Sequence, residues 1–153
     1  QRFEFSASYS RLSRSEFAPV MAFVMSQRGM AETFSIVLPE ISSSSGTASG
    51  TVVNTNNPAI GGKTVAISGL SGVLKAGDVI KFSGHSKVYM ITADRSGTGT
   101  LSFEPGLEVA VSGTQTITYN NVPFLVRLNN DIQEYSLGSA SLVDYDVDFL
   151  EAV

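Results

Sequence analysis

The chain has 153 residues, 42% hydrophobic and 9% aromatic, enough apolar surface for one core or two small joined lobes and too much for a disordered tail or linker. With no cysteine it can build neither a disulfide framework nor a thiolate metal site, and a formal charge of -4, from 14 acids against 10 bases, argues against a nucleic-acid reader that works by neutralising phosphates. No apolar run reaches the roughly 18 residues that span a bilayer, and the opening "QRFEFSASYS" has no signal-peptide apolar core, so the chain reads as soluble and free of the membrane. It begins at Gln1 without Met, as though an initiator or a few leading residues had been removed.

In "QRFEFSASYS", Phe3 and Phe5 alternate with charged residues, the period-2 pattern of a half-buried strand. In "SRSEFAPVMAFVMSQRG", Phe17, Val20, Met21, Val24 and Met25 follow the i, i+3, i+4, i+7, i+8 spacing that lines one helical face. The spacing predicts a helix over 16–28. Ser13 and Glu16 have capping-box spacing, but Pro19 lacks a backbone donor and favours a start near Ser15 with the proline in the first turn. Arg28 then sits at the negative helix end, and Gly29 supplies a left-handed cap. "ETFSIVLP" alternates Phe34, Ile36 and Leu38 as a second strand that Pro39 ends.

The Ser/Gly run "EISSSSGTASG" reads as too polar to pack and as a boundary. From about Gly50 to Ile117, short β-runs punctuated by glycine recur every 8 to 14 residues or so, the rhythm of a small antiparallel barrel or sandwich. After Asn121 longer strands return, Phe124 to Leu128 and Leu142 to Leu150, with "NND" as a turn. The fold class is therefore mainly β: a β-sandwich or barrel with one flanking α-helix and an inserted small antiparallel β-module. The expected division is a discontinuous lobe, 1–45 plus 118–153, around a module at 46–117.

Three stretches imitate functional motifs. "IGGKT" (Ile60 to Thr64) has the end of a phosphate loop, yet Asn57 stands where glycine is needed and β-branched "KTVAIS" follows instead of a helix, so a turn into a strand is expected. "DYDVD" (Asp144 to Asp148) has half a calcium loop, but Phe149 replaces the required glycine and the bidentate Glu is missing. Read as a strand, it puts Asp144, Asp146 and Asp148 on one face and Tyr145, Val147 and Phe149 on the other. That acidic stripe is either solvated surface or a face that repels something anionic. His85, the chain's one histidine, lies between Gly84 and Ser86; with no nucleophile elbow or second imidazole it reads as a surface-turn residue. No catalytic residue, cofactor site or metal site is expected.

Taken together, "RFEFSASYSRLSRSEFAPVMAFVMSQRGMAETFSIVLP", the Ser/Gly stretch, "LKAGDVIKFSGHSKVYMIT", "LSFEPGL" and the terminal "VDFLEAV" resemble the small structural proteins of tailed-bacteriophage tails, of distal-tail or tube-initiator type. The resemblance implies a tail-tube-like β-fold and a non-enzymatic virion protein, made in the host cytoplasm. It also implies a homo-oligomeric ring, a hexamer, at the junction of tail tube and baseplate, contacting other tube and baseplate proteins. DNA would pass through without sticking, so Asp144, Asp146 and Asp148 would be lumen-facing. The competing reading is a carbohydrate- or receptor-binding β-module of a surface protein, which the lack of tryptophan disfavours.

Overall fold

A computed structural model describes residues 1–137 and 142–153; residues 138–141, part of the expected terminal lobe, lie outside the described residues. The chain divides into a terminal unit, 1–35 with 125–153, and a central unit, 36–124. The Ser/Gly run thus falls inside the central unit.

In the terminal unit, β1 (Glu4–Leu12) and β13 (Val143–Glu151) form a long antiparallel pair, with Phe5 opposite Phe149, Ala7 opposite Val147 and Tyr9 opposite Tyr145. The sheet runs β1-β13-β11-β2, with β11 (Phe124–Leu128) and β2 (Phe34–Ile36) following β13, while β12 (Tyr135–Leu137) also pairs with β13. The one long helix among the described residues, α1 (Arg14–Ser26), lays Phe17, Val20 and Val24 on this sheet, whereas Met25, expected on the same face, is turned outward. Val24 is buried with Leu128, Tyr145 and Val147, and Phe17, Val20, Phe34 and Phe149 close around them. Phe17 meets Tyr145 edge-on at 5.6 Å, and Phe34 meets Phe149 edge-on at 5.7 Å, the geometry aromatic quadrupoles favour.

The helix lies two residues before the expected 16–28. The Glu16 carboxylate accepts hydrogen bonds from the Ser13 hydroxyl at 2.7 Å and the Ser13 backbone N–H at 2.9 Å, which fixes Ser13 as the N-cap and outweighs the donor lost at Pro19. Those same bonds hold the Glu16 carboxyl below its ordinary pKa. At the other end Arg28 is already left-handed, at φ 53°, so it stands outside the last turn that it was expected to stabilise. Gly29 follows at φ 65°, where a Cβ would sit 2.2 Å from Asp131 Oδ1. A close approach, in addition to the backbone angle, demands glycine there.

The central unit is a closed antiparallel barrel of six strands in the order β10-β3-β4-β9-β7-β6: β3 (Val52–Asn54), β4 (Thr64–Ser68), β6 (Val79–Phe82), β7 (Tyr89–Ile91), β9 (Gly99–Glu104) and β10 (Thr116–Thr118). A short pair, β5 (Val73–Leu74) with β8 (Arg95–Ser96), forms its own two-stranded sheet, from which Leu74 joins the barrel's buried core. Of the sandwich and barrel that the strand rhythm allowed, the barrel forms. Alternate residues such as Val65 and Ile67, Leu101 and Phe103 point inward and join Phe82, Tyr89 and Ile117 in one buried core. At Gly69, with φ 80°, a Cβ would lie 2.1 Å from Thr51 O, so the close passage of these two backbones requires glycine.

The Ser/Gly run does pack, contrary to expectation. Ser42 is 0% exposed and its hydroxyl accepts from Leu38 N–H at 2.8 Å. Ser44 Oγ donates to Asp78 Oδ2 at 2.5 Å, while the Ser45 hydroxyl and backbone N–H each donate to Asp78 Oδ1 at 2.8 Å. Serine is polar enough to look like linker, but one buried carboxylate supplies the acceptors that its hydroxyls need.

Candidate functional site

The most charged feature of the terminal unit follows from the period of β13. Because Tyr145 and Val147 turn into the core beneath α1, Asp144, Asp146 and Asp148 must turn to the opposite, exposed face. The neighbours in register are small and neutral: Ser6 stands opposite Asp148, Ser8 opposite Asp146 and Ser136 opposite Asp144. The three carboxylates share a 360 Å³ depression with Glu134, Asn130 and Gln133. Asp144 Oδ1 accepts from the Arg11 backbone N–H at 2.7 Å, which gives that carboxylate a fixed donor with no opposing charge. The sequence thus anticipated that these residues would share a face, and the structure adds Glu134 to them.

Charge is divided unevenly along the chain. The terminal unit holds five Lys or Arg against nine Asp or Glu, and the central unit five against five. The whole excess of four negative charges therefore belongs to the unit that carries the Asp144 face. On the same unit Arg127, from β11, lines a 320 Å³ pocket with Arg2, Met30, Ala31, Thr33 and Val153. Arg2 donates an Nη2 hydrogen bond to Val153 O. Arg127 Nε is closed off from solvent and has no hydrogen-bond partner among the described residues. A lone arginine on an alternating strand gives no sequence signal of this.

His85 corrects the sequence reading. It lies in the turn between β6 and β7, as expected, but it is 6% exposed and not at the surface. Its Nδ1 is 3.0 Å from the Tyr89 hydroxyl, and its ring sits 5.1 Å from Phe82 and 5.9 Å from Tyr89 between centroids. Nε2 is buried with no hydrogen-bond partner among the described residues. Burial pushes the imidazole pKa below its ordinary value because the cation would lose its water. The folded state then binds fewer protons than the unfolded one below about pH 6.5, so the stability that neutral His85 contributes is present above that pH. It drains away as pH falls toward the lowered folded value. Urea unfolding from pH 8 to 5 should show stability declining below pH 6.5, and the His85→Phe variant should lose that part of the slope. An identical slope in the variant would assign it to other groups. Asp78 stays outside this window: burial raises its pKa, but the bonds from Ser44, Ser45 and Lys75 outweigh it and bring the net value down, which places its own loss at more acid pH.

"IGGKT" is a turn feeding β4, with Gly61 N–H donating to Leu107 O at 2.8 Å. Among the described residues no group of three or more His, Asp or Glu is arranged to hold a metal ion.

No curated protein matches the chain. The family model for the distal tail protein pb9, B domain, matches residues 40–122, a span that contains all six strands of the barrel and the serine strap laced to Asp78. With more than half its length matched, the chain belongs to the family of the distal tail protein pb9 B domain and is a structural protein of a bacteriophage tail.

Proposed function

We propose that the terminal unit associates side by side with copies of itself into a closed ring, a hexamer, at the junction of tail tube and baseplate, with Asp144, Asp146 and Asp148 facing the channel through which DNA passes. The observation that carries this reading is the acidic face itself. It is an exposed row of carboxylates on the unit that holds the chain's entire charge excess. A conduit wall that presented cations would bind phosphates and release counterions, holding the polyanion it must let through; carboxylates leave it mobile.

The sheet supplies the means of joining. Among the described residues β1 pairs only with β13, and β2 closes the other side of the sheet. Nine residues long, β1 contains neither Lys nor Pro, and its charges, Glu4 and Arg11, and its register shift between Tyr9 and Leu12 lie toward its ends, leaving the stretch from Phe5 to Tyr9 open to pairing. A contact from the β1 edge of one copy to the β2 edge of the next is head-to-tail, and such contacts close into rings when their rotation permits. In this arrangement the barrel is an insertion carried by the ring-forming lobe, and other tube and baseplate proteins stack on the ring. Light scattering on the purified chain, followed by negative-stain imaging, should show a discrete oligomer with a central opening. A monomer across the micromolar range would overturn the reading, and a monomer that bound glycans would favour a recognition module.

A further inference from the structure

The Nε of half-buried Arg127, closed off from solvent with no acceptor among the described residues, carries one step further, resting on the ring reading. Burying part of a charged group without an acceptor is costly, and none of the ion pairs among the described residues includes Arg127. Its position shows where an acceptor can come from. Arg127 stands opposite Leu150, and Leu150 opposite Glu4. Residues directly opposite in register share a face, so Arg127 and Glu4 both belong to the face that carries Asp146 and Asp148. Glu4 is the acid of β1. Within one copy the apolar Leu150 separates it from Arg127, and Asn129 Nδ2 donates to Glu4 Oε1 at 2.6 Å.

Adding a strand to the edge of a sheet preserves its faces. If β1 of a second copy lies beside β2, the second copy's Glu4 comes onto the Arg127 face with only β2 between them, a separation of about 10 Å between the strands. Arginine and glutamate together span that distance. The β2 residue that intervenes on this face is Ser35, because Phe34 turns to the core beneath α1; it is short enough to pass beneath them. We propose that Arg127 receives the Glu4 carboxylate of a second copy of this chain, and that this ion pair sets the register of the joint. Assembly exchanges the Glu4–Asn129 bond, in which only the acceptor is charged, for an ion pair in which both partners are, and satisfies the orphaned Nε.

The test is a charge swap read by light scattering at low salt, with circular dichroism at 222 nm confirming the fold. Glu4→Arg and Arg127→Glu should each weaken self-association about tenfold or more, since each sets like charges against one another at the joint. Mixing the two variants should restore assembly, because each then carries the complement of the other; a pair formed within one copy cannot be rescued by mixing. Should Arg127→Glu fail to fold, Arg127→Met keeps the side-chain stem: it should melt no lower than wild type yet assemble more weakly, and unchanged assembly in it overturns the pair. Wild-type rings with unaffected variants, or no recovery on mixing, overturn the pair while the ring reading stands. A wild-type chain that stays monomeric overturns both.

Discussion

Val24→Asp should destabilise the terminal unit by about 3–5 kcal/mol, seen as loss of the 222 nm signal at much lower urea. Val24 is 3% exposed, and its neighbours Leu128, Tyr145 and Val147 offer a carboxylate no hydrogen-bond donor in the centre of the cluster; only the Tyr145 hydroxyl is polar, and it donates to Gln133 Oε1 at 2.6 Å. The neighbouring residue on the helix provides the control. Met25 is 61% exposed, so Met25→Asp should cost no more than about 0.5 kcal/mol. Because α1 is the chain's only long helix among the described residues, the 222 nm signal reports on the unit that contains it. Equal effects of the two substitutions would mean that Val24 does not face the sheet.

Period-2 alternation made the long strands legible. It placed β11 at its observed bounds and β13 within one residue at each end, because a strand buried on one face writes that face into every second residue. The helix was legible by its stripe and misplaced by two residues, since the Glu16 cap outweighs Pro19 and sequence order alone does not rank the two. His85 was misread for a different reason. Gly84 and Ser86 describe the turn correctly, but burial depends on Phe82 and Tyr89 closing over the ring from two strands, a tertiary fact. The serine strap was missed likewise, because its acceptor, Asp78, lies more than thirty residues away. For the candidate site, the shared face of Asp144, Asp146 and Asp148 was legible from spacing. Glu134 beside them and the unpartnered Nε of Arg127 depend on strand pairing that no local pattern encodes.

Replacing Asp144, Asp146 and Asp148 together with Lys should convert a face that repels DNA into one that holds it. Each change adds two charges, so the net charge moves from -4 to about +2, and three ammonium groups line one exposed side of β13. Duplex DNA should then bind with an affinity that falls steeply with salt, by about 0.9 in the logarithm of the constant per tenfold salt for each phosphate neutralised. Wild-type chain in the same titration should show no binding. Fold should survive, since the three side chains are exposed and, among the described residues, the one hydrogen bond lost is that from Arg11 N–H to Asp144. The effect on DNA ejection depends on where these residues stand within an assembled tail. On the channel wall, the variant should assemble and then retard ejection; on the outer surface, it should bind DNA in solution while ejection proceeds at the wild-type rate, and the channel assignment of this face would be wrong.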